Sequence, residues 1–498
     1  MTHTGRAVAG VAAAGLGTAA GQVLGALLGP ASAPVQAVGA AVIDLAPPAL
    51  KEWAVSTVGT ADKVLLIATV LVVLGALGAL AGIWGARRPL AGDLMFAGLG
   101  VLGMIAAMTR PGAAFTAVLP SLLAAVVAAG VLRWQFRWAP AGEPAVSGGP
   151  GFDRRLLITG GLGLLGAVTT AGLPGITRST TPTTPITIPR PRSTAPAFPS
   201  GLDTTVAGIS PLRTPVKDFY RVDTALFVPQ VAAGDWQLAV TGMVAEPFTL
   251  SWDELLAMPL IERDVTLTCV SNEIGGPYCG STRWTGVRVA DLLTRAQPSA
   301  EADQVLSVST DGFTASTPLS VLRDGRDAMI AVAMDGQPLT PEHGFPARLL
   351  TPGLYGYVGA TKWLKQLKVT TFAADQAYWT ARGWAQRGPV KTATRIDVPR
   401  GSVAVGATVV AGVAWATHRG ISRVQVQVDD GPWQDAELGP DVGIDYWRQW
   451  YLPWEAPTGR HRLSARAYDG SGELQTAAVQ GVLPDGPTGY HVINVQVG

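Results

Sequence analysis

Along the first third of the chain the hydrophobic pattern runs in long blocks instead of alternating. No charged residue occurs from Ala7 to Ile43 or from Val64 to Ala86, and a helix needs about 17–25 mostly apolar residues to cross a bilayer. Five segments predict membrane spans: 7–29, 64–86, 90–109, 112–132 and 156–177. The third is interrupted by Asp93, and the first is built of Gly and Ala more than of Leu. Pro30, Pro34, Pro47 and Pro48 break the stretch 30–62, which reads as an interfacial excursion. Residues 178–204 are rich in Pro, Thr and Ser and predict an extended linker.

Beyond the linker the blocks give way to short alternating strands, short helices and Gly/Pro turns, as expected of a domain outside the membrane over 205–390. From 391 to 498 the pattern is all-β. In Arg423-Val424-Gln425-Val426-Gln427-Val428 the valines fall on one face of a strand that ends in the turn "DDGPW". His461 to Ala467 repeats the alternation up to Asp469-Gly470. About 108 residues of short strands predict an immunoglobulin-like sandwich.

Charge adds an orientation. With the N-terminus inside, Arg6, Arg87, Arg88, Arg133, Arg137, Arg154 and Arg155 fall in cytoplasmic segments, while Lys51, Lys63 and Arg110 fall outside. Positive charge is retained on the cytoplasmic side, so five spans place everything after 177 in an extracytoplasmic position. Arg154-Arg155, just before the fifth span, reads as an ordinary positive flank. It becomes a twin-arginine export signal if the following domain must take up a cofactor before crossing. The net charge of +1 argues against nucleic-acid binding. Charged residues make up 15% and hydrophobic ones 48%, against roughly 25% charged in soluble domains, and the deficit lies in the N-terminal blocks.

The chain has two cysteines, Cys269 and Cys279, both in "TLTCVSNEIGGPYCGSTRWTG". They exclude a disulfide framework and a cysteine-rich metal cluster. Three roles stay open on chemistry alone. The pair could close a disulfide outside the cytoplasm; Cys269 could be a nucleophile, although none of the five histidines lies beside it in sequence; or it could be a soft thiolate ligand to a metal.

The surrounding blocks carry a resemblance. "LTCVSNEIGG" with "STRWTGVRVADLL", the upstream "DFYRVDTALFVPQV", the downstream "DGQPLTPEHGFPARLLTPGLYGYVGATKWLKQLKV", and the C-terminal "GVAWATHRGISRVQVQVDDGPW" with "YWRQW" occur in this order. Together they resemble the sulfite oxidase family of molybdopterin-dependent oxidoreductases over roughly 205–498. The resemblance implies an α+β sulfite-oxidase-type molybdopterin domain at 205–390 and a dimerisation domain at 391–498. It implies a molybdenum–molybdopterin cofactor with Cys269 on the metal and two-electron oxygen-atom transfer, with sulfite as one candidate substrate. It also implies cofactor contacts from Tyr220, Arg221, Asp311, His343, Arg348, Thr361 and Lys362, with Arg221 also beside the reacting oxygen.

No expected span contains a His, so no haem is expected in this chain. Electrons would then pass to a separate cytochrome or quinone-linked partner, and the resemblance further implies a homodimer. One departure stands out: Trp384, in "AYWTARGWAQRGPV", occupies about the place of a Tyr in the sulfite-oxidising members. The alternatives are therefore a sulfoxide or N-oxide reductase of the same fold, or a non-catalytic membrane-tethered binding module. Cys279 has no place in the family pattern.

Overall fold

The computed structural model describes residues 2–29, 32–47, 50, 62–110, 113–137 and 186–498. The expected fifth span, Arg154, Arg155 and the linker up to residue 185 lie outside the described residues. The chain divides into two compact units, the N-terminal helices with Thr224–Val228, and the remainder of the chain.

Four helices of the first unit are long and apolar enough to cross a membrane: His3–Leu28, Lys63–Gly85, Pro89–Met108 and Phe115–Arg137. They overlap the first four expected spans. Packing explains the Gly/Ala composition of the first. Half of its most apolar window is buried inside the structure, against 11% for Lys63–Gly85. At Gly10 it meets Gly78 and Gly82 so closely that a methyl group would run into backbone. Small residues let helices approach where lipid supplies no hydrophobic drive. Asp93, which weakened the third expected span, is held by Arg133, whose Nε lies 3.0 Å from its carboxylate. Within 30–62, Pro34–Leu45 forms a short helix begun by Pro34.

The second unit contains two five-stranded sheets in its first part. One has the spatial order Phe248–Ser251, Gln237–Gly242, Leu364–Thr370, Gln304–Ser309, Thr314–Pro318, with the pair Gln237–Gly242 and Leu364–Thr370 parallel. The other runs Leu260–Thr268, Cys279–Arg288, Met329–Met334, Gln337–Pro338, with Arg348–Leu350 also paired to Met329–Met334. Leu238, Val240, Val287, Ile330, Val332, Leu367 and Val369 lose all solvent exposure in a shared core, each worth about 1.5–3 kcal/mol of apolar burial. Helix Trp252–Ala257 starts where the sequence "SWDE" sets a capping box: Ser251 Oγ accepts the Glu254 N–H, and the Glu254 carboxylate accepts the Ser251 N–H at 2.7 Å.

The C-terminal region holds two further sheets, ordered Ala393–Val398, Gly406–Trp415, Arg448–Ala456, Glu437–Leu438 and Ser402–Val403, His491–Val497, Gly459–Asp469, Ile421–Val428, Gln434–Asp435. The alternation seen in sequence sets their core. Val424 and Val426 from one strand and Leu463, Ala465 and Ala467 from its neighbour are fully buried with Trp450 of the opposite sheet. A separate aromatic cluster links this region to the first part of the unit through Val270, Cys279, Tyr355, Trp384, Trp415 and Trp447.

Candidate active site

The cysteine stretch is a hairpin. Leu260–Thr268 pairs antiparallel with Cys279–Arg288 in a register that sets Thr268 opposite Cys279. One step on, the Cys269 N–H donates to the Tyr278 carbonyl at 3.0 Å. Successive side chains alternate between faces of a strand, so Cys269 and Tyr278 share one face, and Thr268 and Cys279 share the other. Both thiols are free, and the disulfide left open by the sequence is excluded by register. Cys279 packs in the aromatic cluster with its Sγ 3.2 Å from Thr268 Oγ1, and burial pushes its pKa up to about 11. It is an inert thiol. Burial also raises the Cys269 pKa, opposed by hydrogen bonds from Ser271 and by the charge of Lys362. Asn272, three residues on, fixes the loop by accepting the Tyr278 N–H on its Oδ1 at 2.7 Å.

On the Cys269 face several chain segments converge. Phe219 is buried, stacked on Tyr220 at 5.4 Å and edge-on to Trp284 and His343. This anchors the segment carrying Tyr220 and Arg221. Burial, then the nearby Cys269 charge, holds the Tyr220 hydroxyl well above its ordinary pKa, so it is a neutral donor. Arg221 is exposed, and its charge is felt at His343 and Lys362.

His343 is 4% exposed. Its Nε2 faces the Val216 carbonyl at 3.0 Å, which makes Nε2 the donor and leaves Nδ1 as a lone-pair acceptor. Nδ1 is buried with no partner among the described residues. Burial, and then the Arg348 charge, lower the His343 pKa to about 4, so the ring is neutral above that pH.

Arg348 lies fully inside, over the Trp284 ring at 5.2 Å, with one Nη donating to the His343 carbonyl at 3.2 Å. No carboxylate among the described residues pairs with it, its Nε is unpartnered, and burial lowers its pKa to about 10. Lys362 Nζ donates to Asp223 Oδ2 and to the Glu342 carbonyl, both at 3.0 Å, and burial lowers its pKa to about 8 despite Asp223. Gly344, at φ 103°, lies against both Lys362 and Arg348, so a side chain there would wedge between the two cations.

The structure thus brings Tyr220, Arg221, Cys269, His343, Arg348 and Lys362 into mutual electrostatic range. Asp311 sits in the turn after Gln304–Ser309, where its Oδ1 accepts the Phe313 N–H at 3.1 Å; burial first, with Asp223 adding, raises its pKa. Thr361 does not turn its hydroxyl to the others: Oγ1 bonds Ser307 Oγ at 2.7 Å inside the core. Trp384 is buried among Tyr357 and Trp379. Sequence reasoning missed Asp223, the counter-ion of Lys362, although it lies two residues beyond Arg221.

The segment 225–379 matches the family described as oxidoreductase molybdopterin binding domain. The oxidoreductase YuiH of Bacillus subtilis is 34% identical over 153 residues, covering 31% of this chain and 74% of that protein. The chain belongs to the sulfite oxidase family of molybdopterin oxidoreductases. Mouse mitochondrial sulfite oxidase is 28% identical over 328 residues, 54% of this chain, and the match spans 59% of the mouse protein's length. The sulfane dehydrogenase SoxCD of Paracoccus pantotrophus shares the fold, with a TM-score of 0.50 at 22% identity over 57% of this chain and 81% of that one.

The residues present suit the family's cofactor on this structure's own terms. Of the two buried cations only Lys362 has a carboxylate partner among the described residues, and Arg348 Nε and His343 Nδ1, without partners there, offer a donor and an acceptor. Buried polar groups are ordinarily satisfied, and a ligand combining anionic phosphate with ring donors and acceptors would satisfy these.

Proposed function

We propose that this protein is a membrane-anchored molybdopterin oxidoreductase that works outside the cytoplasm by two-electron oxygen-atom transfer, with sulfite as the first candidate substrate. The observation that carries the reading is the under-compensated cationic cradle on the Cys269 face. Arg348 and Lys362 would hold the anionic part of the cofactor, His343 Nδ1 and the Asp311 carboxyl its ring groups, and the Cys269 thiolate the metal. When bound, the cofactor would supply the oxygen-atom exchange and the electron storage.

The chain's own work is to position and shield. Phe219, Trp284 and Tyr220 keep water from the cradle, and Asp223 holds Lys362 in place. Arg221, exposed and without an ion pair to any described residue, would steer an anionic substrate. The test is elemental analysis for molybdenum in protein purified from cells that make the cofactor, with sulfite oxidation by an artificial acceptor. Absence of molybdenum would instead support the non-catalytic binding module.

Arg221→Gln is expected to raise KM for sulfite by roughly 10-fold or more, since a charge-assisted contact is lost. An unchanged KM would remove Arg221 from substrate binding.

Trp384 favours a second reading, reduction of sulfoxides or N-oxides. By the resemblance it stands about where the sulfite-oxidising members carry a Tyr, and it is packed into an aromatic cluster. Turnover of sulfoxides with a reduced viologen, without sulfite oxidation, would establish it.

The placement outside the cytoplasm rests on the arginine count and on five spans, of which the four apolar helices would be the first four. The C-terminal sheets would form the immunoglobulin-like dimerisation domain, and electrons would leave through a separate partner. Changing Arg154 and Arg155 to Lys is expected to strand the cofactor-loaded domain inside. Protease-accessible, molybdenum-containing domain outside intact cells of that variant would rule out twin-arginine export.

A further inference from the structure

The other face of the cysteine hairpin opens on a cavity of about 700 Å³, within the 300–1,000 Å³ range of small-molecule sites. Cys279, Gly275 and Pro277 line it from the hairpin, while none of the residues of the Cys269 cradle do. The opposite wall comes from the C-terminal strands Ala393–Val398 and His491–Val497 and the turn beyond the first.

His491 is set as a donor. Its Nδ1 accepts the Ile396 N–H at 2.9 Å, so the proton of the neutral ring sits on Nε2. That atom lies close against Gly275, which has φ 79° and no room for a side chain. Burial, then the Arg395 charge, keep the ring neutral, with a pKa of about 4.

Of the charged groups around it, Arg395 is consumed by Asp397 at 2.7 Å, the Gly276 carbonyl at 2.8 Å and Ser210 Oγ at 2.7 Å. Asp397 is 1% exposed and saturated by Arg395 and the Ser210 N–H. Arg400 is different. Its Nε is anchored on the Asp397 carbonyl at 2.8 Å, while its Nη2 is 3.9 Å from the Asp397 carboxylate and the side chain is 76% exposed. The terminal edge of a held guanidinium is left open, the geometry that takes a carboxylate through two parallel bonds. Asp218 stands at the rim, 58% exposed beside Lys217. Pro211, Pro215, Pro399, Ile493 and Trp447 supply the apolar part of the wall, with the polar Ser210, Thr214 and Asn494 beside them.

We propose that this cavity is a second ligand site, for a small organic acid whose apolar body lies against the prolines and Trp447 and whose carboxylate is held by Arg400 and the His491 Nε2–H. It sits back to back with the Cys269 cradle, and its existence does not depend on molybdenum.

The test is calorimetric titration of the detergent-solubilised full chain with benzoate, and with benzamide as its uncharged counterpart, in wild type and in Cys269→Ser. Saturable benzoate binding is expected in both proteins, with benzamide at least ~10-fold weaker because it lacks the charge. Arg400→Ala, at an exposed side chain, is expected to weaken benzoate ~10-fold or more, and His491→Gln to weaken it as well. No saturable binding, equal affinity for benzamide, or affinity unchanged in Arg400→Ala would overturn the proposal. Benzoate binding lost in Arg221→Gln but retained in Arg400→Ala would also overturn it, by locating the anion on the Cys269 face.

Discussion

Cys269→Ser is expected to give a folded protein that purifies with at least ~10-fold less molybdenum and no oxygen-transfer activity. The reason is chemical. A serine hydroxyl stays protonated where a metal would deprotonate a thiol, and it lacks the soft sulfur donor. The fold has little stake in this atom, because Cys269 is only partly buried at the end of its strand and contributes no core contact of the kind made by Leu267. A stability change within about 1 kcal/mol is therefore expected, measured by thermal melting beside the metal assay. Cys279→Ser is the control. It sits on the other face and is expected to keep its molybdenum, so loss of metal in the Cys279 variant alone would invert the assignment of the two thiols.

Arg348→Met is expected to have opposite effects on the empty and the loaded protein. Without a ligand, Arg348 is a buried cation with no carboxylate partner among the described residues, and burial pulls its pKa well below the ordinary guanidinium value, to about 10. A depressed pKa on a base means that the charged form is penalised in the folded state. At neutral pH, below both values, that penalty is fully present and is on the order of 3 kcal/mol. Methionine fills a similar volume and removes the penalty, while leaving the His343 carbonyl without its donor, a loss of about 1 kcal/mol. The empty protein should melt at a higher temperature than wild type, yet cofactor occupancy should fall sharply. If the empty variant is destabilised and cofactor is retained, Arg348 is a structural arginine and the cradle is misassigned.

Much of the candidate site was legible because its residues lie in contiguous blocks. "HGFPAR" carries His343 and Arg348, and "TKWL" carries Lys362. Asp223 was not legible. Its partner Lys362 is 139 residues away, and a carboxylate two residues from Arg221 looks like that arginine's own counter-ion. The resemblance implies Thr361 as a cofactor contact, but the chain bends at Lys362 and Trp363, where Trp363 has φ 48°, and the Thr361 hydroxyl is spent on Ser307.

By itself the sequence determined the apolar blocks long enough to span a membrane, the switch to alternating strands after the linker, and the family to which the ordered blocks belong. Those are properties of composition, period and order, which a chain carries before it folds. Tertiary structure decided which thiol faces the cradle, because one residue of hairpin register moves a side chain to the other face. It also decided the His343 tautomer, set by a carbonyl 127 residues away, and the open edge of Arg400 at a cavity behind the cysteine hairpin. Each depends on groups remote in sequence competing for the same hydrogen bonds, and only the folded chain brings them within reach.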